Sequence, residues 1–179
     1  AGNAGLAEND RCAREVLQGV SGGAAASDSR ESAPAGVPQL GASVGLHASL
    51  TLDDGTLERA AGLAEELGIG CHIHVAEDAA DVEDSIKRSG VRVAERLERF
   101  GILGEKSIAV HCVHIDDEEL RVLRETGTTV VHCPQSNMNN AVGVADVPHM
   151  LESGLLVGLG TDGFTPSMLD EMKAANLIH

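Results

Sequence analysis

The sequence predicts an α/β fold in which parallel strands alternate with helices, as in part of a (β/α)8 barrel. From Val44 onward, short apolar runs alternate with segments of helical period. Four of these runs end in a side chain that can ionise or bind a metal: His74, His111, His132 and Asp162. Strict alternation implies right-handed crossovers and a parallel sheet. In such a barrel the carboxyl ends of the strands share one face, and that face carries the active site.

The composition excludes several classes of partner. The chain has 13 Lys+Arg against 28 Asp+Glu, a net charge of −15, which argues against nucleic acid or an anionic membrane surface. No membrane span and no signal peptide are predicted. The four cysteines show no C-x-x-C spacing, and three of them lie in or at the ends of predicted strands. We therefore expect buried, reduced thiols and a cytoplasmic protein.

Residues 1–42 differ from the rest of the chain. Glu8–Gln18 is predicted to form a short helix. Gly19–Pro38 consists largely of Gly, Ala, Ser and Pro and is predicted to be a flexible loop or linker. Residues 43–179 form the regular part of the chain.

Five strand–helix units are legible in the regular part. The predicted strands are Val44–Ala48, Ile69–Ala76, Ile108–Cys112, Thr129–Cys133 and Leu155–Gly160. The predicted helices are residues 57–67, Asp78–Ser89, Arg92–Phe100, Asp117–Glu125, Val147–Ser153 and Ser167–Ile178. Capping boxes are expected at Thr51–Asp54 and Asp116–Glu119, and glycines stop the helices. Because a closed barrel needs eight units, we expect strands 4 to 8 of a longer protein, as the missing initiator Met also suggests.

The strand that ends at His74 and is followed by Glu77 is the strongest candidate for chemistry. Side chains alternate along a strand, so His72 and His74 share a face, and Glu77 falls past the strand end. A histidine beside a carboxylate suits a metal that activates water, with the glutamate moving the proton. The alternative is a pair of core or rim histidines and a glutamate that begins a helix, where carboxylates are favoured.

Four more residues are candidates by position. His111 ends an apolar strand, and Asp162 lies in a glycine-rich turn that lets the backbone bend closely around a site. Asp162 is placed to bind a cation or to take a proton from bound water, although G-T-D-G is also an ordinary turn. Asn137 could orient a substrate or belong to a polar turn. His132, before it, is expected to be structural, and His47 is assigned a substrate contact.

Taken together, these motifs resemble the amidohydrolase superfamily. The motifs are G-L-H-A-S at His47, H-I-H-V-A-E at His74 and Glu77, A-V-H-C-V-H at His111, H-C-P-Q-S-N at Asn137 and G-L-G-T-D-G at Asp162. Within the superfamily the chain is most similar to the cytosine/guanine deaminase and triazine chlorohydrolase branch, especially to aminohydrolases of the SsnA type. The likeness covers residues 45–179, whereas residues 1–44 match poorly.

The resemblance implies a barrel that holds one divalent metal, usually zinc or iron. In the family an H-x-H after strand 1, a His after strand 5 and an Asp after strand 8 bind this metal. His74 and Asp162 match the last two ligands. Glu77 matches the proton-shuttling acid, His111 the histidine that polarises substrate or water, and His47 a substrate contact. The implied reaction is attack of a metal-bound hydroxide on an amidine-like ring carbon, with release of ammonia.

The chain departs from the family pattern at the metal site. Its only H-x-H is His72–His74, which is already matched to strand 5, so the strand-1 ligands are absent. We therefore expect the chain alone to be inactive and to bind metal poorly. The leading hypothesis is a deaminase of a purine- or pyrimidine-like heterocycle, seen as its C-terminal half, with homo-oligomerisation left open. The alternatives are a chlorohydrolase or cyclic amidase with the same metal site, or a non-catalytic half barrel that binds metal or dimerises.

Overall fold

A computed structural model describes residues 2–22 and 40–179. Its strands are β1 (Ser43–Ala48), β2 (Gly70–Val75), β3 (Ile108–His111), β4 (Thr129–His132) and β5 (Val157–Leu159). Its helices are α1 (Gly2–Gly22), α2 (Asp54–Leu67), α3 (Ala79–Ser89), α4 (Val93–Arg99), α5 (Asp117–Thr126), α6 (Pro134–Asn140), α7 (Val147–Glu152) and α8 (Met168–Ile178). None of these helices is both long and apolar enough to cross a bilayer.

The five strands form one parallel sheet in sequence order, which confirms the predicted α/β fold. Val75 pairs with His111, and His132 pairs with Leu159. This register brings the carboxyl ends of neighbouring strands to one edge of the sheet. Side chains delivered there by different strands can therefore meet.

The alternation along β2 divides the two faces of the sheet. Ile73 and Val75 are fully buried in the core between sheet and helices. On the opposite face His72 is exposed and His74 is partly exposed. The core is aliphatic, since the sequence has no Trp or Tyr and only two Phe, and each fully buried Ile or Leu contributes about 1.5–3 kcal/mol.

Helix boundaries follow the predicted start and stop signals with one correction. The Asp116 carboxylate accepts from the Glu119 amide, and the Glu119 side chain accepts from the Asp116 amide, as the predicted capping box requires. For α2 the capping residue is Asp53, which accepts from the Thr56 amide at 2.7 Å. The expected cap at Thr51 is wrong, because Thr51 belongs to a 3-10 turn and its hydroxyl donates to the Ala48 carbonyl.

Helix α1 is longer than expected and packs beside β1. Its Asn9 side chain donates to the Gly45 carbonyl at 3.1 Å and accepts from the Gly45 amide at 2.9 Å. These groups lie on the edge of β1 that faces away from β2. The predicted helix at Glu8–Gln18 is thus present within α1. The loop predicted at Gly19–Pro38 is wrong for residues 19–22, which belong to α1, and its remainder lies outside the described residues.

Buried charges tie α3 and α4 to the backbone at the ends of β1 and β2. Arg96, which is 0% exposed, donates to the Ser49 carbonyl and hydroxyl and to the Leu52 carbonyl. Its guanidinium also contacts Asp54 at 2.6 Å. The Asp81 carboxylate accepts from the amides of Leu50 at 3.0 Å and Ala76 at 2.9 Å. The backbone just before Glu77 is therefore held by a buried carboxylate.

Candidate active site

The chain turns sharply where the strands end. Ala76, His111, Cys112 and Asp162 have positive φ values of 47°, 71°, 51° and 48°. Non-glycine residues rarely adopt this conformation, which costs of order 1–3 kcal/mol where it is strained, and such residues cluster at functional sites. The Ala76 amide donates to Asp81, and the Cys112 amide donates to the Val75 carbonyl at 3.0 Å. These bonds offset the backbone strain and fix the direction of the adjacent side chains.

Three side chains from three strands meet at this edge. One ligand atom each of His74, His111 and Asp162 lies within 4.8 Å of the other two. Two imidazole nitrogens and a carboxylate oxygen form a donor set that suits zinc or iron. The residues present therefore fit the metal that the sequence predicts. His74 and Asp162, the two predicted ligands, are together, and His111 lies with them.

His111 is fully buried between two partners. Its Nδ1 lies 2.8 Å from Asn137 Oδ1, and its Nε2 lies 3.3 Å from His74 Nδ1. With the amide oxygen as acceptor, the His111 proton sits on Nδ1, and Nε2 presents its lone pair to the cluster. A second hydrogen bond of this kind is usual for a metal-binding histidine, because it fixes the tautomer and the ring.

Glu77 lies beside both histidines. Its Oε2 is 3.7 Å from His74 Nδ1 and 3.5 Å from His111 Nε2, and its side chain is 23% exposed. Its Oε1 accepts from Asn140 Nδ2 at 3.1 Å. A partly exposed carboxylate next to a candidate metal site can exchange protons with a bound water or substrate.

Burial lowers the pKa of His74, and a smaller electrostatic effect of His111 acts in the same direction. The negative charges of Asp162 and Glu77 oppose that shift. The net result favours the neutral imidazole at neutral pH. Neutral imidazole is the form that binds a metal, so this environment keeps His74 ready as a ligand.

Asp162 is held from the β4 side. Its Oδ2 accepts from the Ser136 hydroxyl at 2.7 Å. Burial first, and then the nearby negative charge of Asp162, raise the pKa of Cys133 to about 12, so this thiol stays protonated.

A Cβ on Gly160 would lie 2.6 Å from Val131 Cγ1 and 3.1 Å from Cys133 Sγ. Glycine is required at this position, as the predicted close approach implies.

The two predicted substrate contacts differ in their surroundings. His47 is exposed, its ring centroid lies 5.4 Å from that of His74, and its Nδ1 lies 3.0 Å from Thr51 Oγ1. Asn137 is only 1% exposed and lies behind His111, to which its Oδ1 is bonded. Its Nδ2 has no hydrogen-bond partner within the described part of the chain. His47 is therefore open to a ligand, whereas Asn137 contacts the site through His111.

Two polar residues at the site were not predicted. Ser136 and Asn140 lie four positions apart on α6. One expectation for this segment was a polar turn, but it forms a helix. The spacing in S-N-M-N-N is the only signal that could have found them, because residues i and i+4 share a helix face. His132, assigned no chemistry, is 1% exposed and its Nε2 lies 3.4 Å from His179 Nε2.

Comparisons with known proteins agree with this architecture. A model of the amidohydrolase family matches residues 27–179. A 5-methylthioadenosine/S-adenosylhomocysteine deaminase of Syntrophomonas wolfei is 43% identical over 141 residues, which are 76% of this chain and 33% of that protein. A 5′-deoxyadenosine deaminase of Methanopyrus kandleri is 42% identical over 141 residues, again 76% of this chain and 33% of that protein. The chain thus spans about a third of the length of the curated relatives it matches.

Solved structures show the same partial barrel. An adenosine deaminase from Xanthomonas campestris with bound zinc superposes with a TM-score of 0.75 at 31% identity, over 80% of this chain and 34% of that one. A guanine deaminase from C. acetobutylicum with bound guanine superposes with a TM-score of 0.66 at 25% identity, over 69% and 31%. A triazine hydrolase variant, at 20% identity and a TM-score of 0.67 over 86% and 32%, shares the fold. The predicted resemblance to this superfamily and to part of its barrel is confirmed.

Proposed function

The chain belongs to the amidohydrolase family, and from that premise we propose that it forms part of a metal-dependent deaminase of an adenosine-like nucleoside. The relatives named above as deaminases of methylthioadenosine and deoxyadenosine support this substrate class. The observation that carries the proposal is the meeting of His74, His111 and Asp162 within 4.8 Å beside Glu77. Residues 43–179 are proposed as the C-terminal part of the barrel.

His74 and Asp162 are the proposed metal ligands, with His111 next to them. A divalent ion, zinc or iron, supplies the Lewis acidity that hydrolysis at neutral pH needs. The X. campestris structure with zinc supports zinc as the metal. The H-x-H ligands of strand 1 have no counterpart in this sequence. We propose that they come from outside these residues, so that the chain alone binds metal weakly and does not turn over.

The remaining roles follow from contacts and exposure. Glu77 takes a proton from the attacking water and passes it on, and the two protons of that water end on the ring nitrogen and on the departing ammonia, so that H2O and a ring N=C–NH2 unit become NH–C=O and NH3. His111 polarises the substrate or the water from its buried position. His47, exposed beside His74, is proposed to contact the heterocycle, whereas the substrate contact predicted for Asn137 stays a prediction, because its amide is buried behind His111.

Dechlorination and cyclic amide hydrolysis have no separate support, because the likeness to triazine hydrolases shows the fold alone.

Three free, buried thiols suit a reducing compartment, and we propose the cytoplasm as the place of action. Homo-oligomerisation stays a prediction.

A chimera tests the proposed function. Residues 43–179 replace the corresponding third of the S. wolfei deaminase, which then supplies the rest of the barrel. The chimera is assayed for ammonia release from methylthioadenosine, deoxyadenosine, adenosine and guanine, with the 179-residue chain alone in parallel. We expect activity on an adenosine-type substrate from the chimera and none from the chain alone.

The matched variants are Glu77→Gln at the site and Glu83→Gln on the exposed surface of α3. We expect the first to lower kcat at least about 100-fold, the usual contribution of general acid–base catalysis. The second should stay within about twofold of the parent. A folded, metal-loaded chimera that releases no ammonia, or full activity of Glu77→Gln, would contradict the proposal.

A further inference from the structure

We propose that α6 is a positioning helix that holds three ionisable groups of the site in fixed relation, an inference that rests on the proposed function. Ser136 Oγ donates to Asp162 Oδ2 at 2.7 Å, and Asn140 Nδ2 donates to Glu77 Oε1 at 3.1 Å. Asn137 Oδ1 lies 2.8 Å from His111 Nδ1. Each partner comes from the end of a different strand: β2, β3 and β5.

The spacing on α6 explains how one short helix reaches all three. Ser136 and Asn140 are four residues apart and therefore share a face, and Asn140 Nδ2 lies 3.5 Å from Ser136 Oγ. A continuous polar chain thus runs from Asp162 through Ser136 and Asn140 to Glu77. Asn137 is turned about 100° around the helix axis from Ser136, which directs it to His111.

The chemistry of the three side chains suits positioning. A hydroxyl and two amides are neutral, so they hold two carboxylates and an imidazole without adding charge to the site. Hydrogen bonds to a carboxylate are charge-assisted and directional, so each fixes a rotamer. Ser136 and Asn137 are 4% and 1% exposed, so water does not compete freely for their bonds.

The helix is itself anchored at both ends. Pro134 stands in its first turn, and the Gln135 amide donates to Glu171 Oε2 at 3.3 Å. At the other end Ala141, with φ of 54°, closes the helix with bonds to the Asn137 and Met138 carbonyls. A rigid support of this kind is what residues need if they are to hold catalytic groups within a fraction of an ångström.

The primary test compares Ser136→Thr with Ser136→Val in the full 179-residue chain. Thr and Val have nearly the same shape and differ in the hydroxyl, so damage to packing affects both alike. Affinity for Co²⁺ is measured by visible absorption. We expect Ser136→Val to raise the Kd at least about tenfold relative to Ser136→Thr, the usual effect of losing a hydrogen bond to a metal ligand. Equal Co²⁺ affinities would overturn the proposal.

A metal-free crystal structure of Ser136→Val supplies a second readout. We expect the Asp162 carboxylate to adopt another rotamer, and an unchanged carboxylate would overturn the proposal even if the chain bound no Co²⁺.

In the chimera, Asn140→Leu is compared with Glu83→Gln, the exposed control on α3, since Asn139 donates to Asn140 Oδ1 at 3.1 Å and is not independent of it. We expect Asn140→Leu to lower kcat about tenfold, with KM within twofold, because Glu77 loses its support. Glu83→Gln should change neither. A folded, metal-loaded parent chimera without activity would count against the proposed function, whereas an active parent with equal Asn140 and Glu83 variants would count against positioning by α6.

Discussion

The two parts of the sheet, β1–β3 and β4–β5, differ in how completely their buried polar groups are hydrogen-bonded. On the β1–β3 side, Glu119 is 0% exposed and accepts from the Ala94 amide at 2.9 Å and from Arg92 Nε at 2.7 Å. On the β4–β5 side, Glu171 is equally buried, and its Oε1 has no hydrogen-bond partner among the described residues. Among the described residues, three more buried atoms on that side lack a hydrogen-bond partner, His132 Nδ1, Gln135 Nε2 and Asn137 Nδ2, against Asp84 Oδ2 and Arg96 Nε on the β1–β3 side.

Apolar exposure follows the same division. Leu156, Leu169 and Leu177 are 71%, 76% and 76% exposed, all on or near β5 and α8. Native proteins leave few buried polar atoms unpartnered and few large apolar side chains clustered in water. The β1–β3 side is therefore the more completely packed of the two. The β4–β5 side, which supplies Asp162 and α6, has the packing of a surface that further chain would cover.

The largest expected effect tests how completely the β1–β3 side is packed. Arg96→Met should cost about 4 kcal/mol of unfolding free energy, because several buried or half-buried acceptors lose their donor at about 1–3 kcal/mol each. These acceptors are the Ser49 and Leu52 carbonyls and the Ser49 hydroxyl, whereas Asp54 is 59% exposed and can turn to water. Urea unfolding followed by circular dichroism measures the loss. Arg99→Met, at an exposed position of α4, is the control. Equal stabilities of the two variants would contradict the comparison.

The second prediction concerns pH and the β4–β5 side. Burial first, and then the neighbouring His179, lower the pKa of His132 from 6.5 to about 4. Between these values the unfolded chain binds the proton more readily, so stability is fully present above pH 6.5 and declines as pH falls to 4. The loss is about 3 kcal/mol. Urea unfolding at pH 7, 5.5 and 4 should show a weaker pH dependence in His132→Gln than in the parent. Identical dependence would refute this role of His132.

An intermediate loss of unfolding free energy should follow removal of the Asp81 carboxylate, which accepts from the backbone amide just before Glu77. Asp81→Asn should cost about 2 kcal/mol, because an amide nitrogen cannot accept from the Ala76 or Leu50 amide. Thermal and urea unfolding measure the change, with Glu83→Gln on the same helix as control. A loss no greater than that of the control would show that the positive φ of Ala76 has other support.

The smallest effect is expected where the buried carboxylate is incompletely partnered. Glu171→Gln should change stability by less than about 0.5 kcal/mol, because the amide oxygen can still accept from Gln135 and an uncompensated charge is removed. Glu119→Gln, at a fully partnered carboxylate, should cost about 2 kcal/mol. The difference in stability between these two variants, measured by urea unfolding, is the sharpest test of the contrast between the two sides of the sheet. Equal losses of stability would contradict that contrast.

Signals that act within a few residues were predictable from the sequence. The Asp116–Glu119 capping box and the helix stop at Gly127 are present because each needs a partner only three or four residues away. Helix α6 was not predicted, because P-Q-S-N-M-N-N lacks an apolar period. Its side-chain bonds reach partners 26 and 63 positions away in sequence.

The site shows the same limit. The ends of parallel strands were predicted to meet, and His74, His111 and Asp162 do lie together. Which atoms face each other depends on backbone reversals such as that at His111, and no periodic pattern encodes them. The capping residue of α2 was misplaced for a related reason. Thr51 is used by the local turn beside His47, which leaves Asp53 to begin the helix.

The amide of Asn9 has a consequence for self-association. It occupies both backbone hydrogen-bonding groups of Gly45 on the outer rim of the first strand, so another strand cannot pair there without displacing it. Polymers built by strand addition need two receptive rims, one for each neighbour. Copies that met through the last strand would stop at two, and sedimentation should therefore detect closed pairs instead of growing filaments.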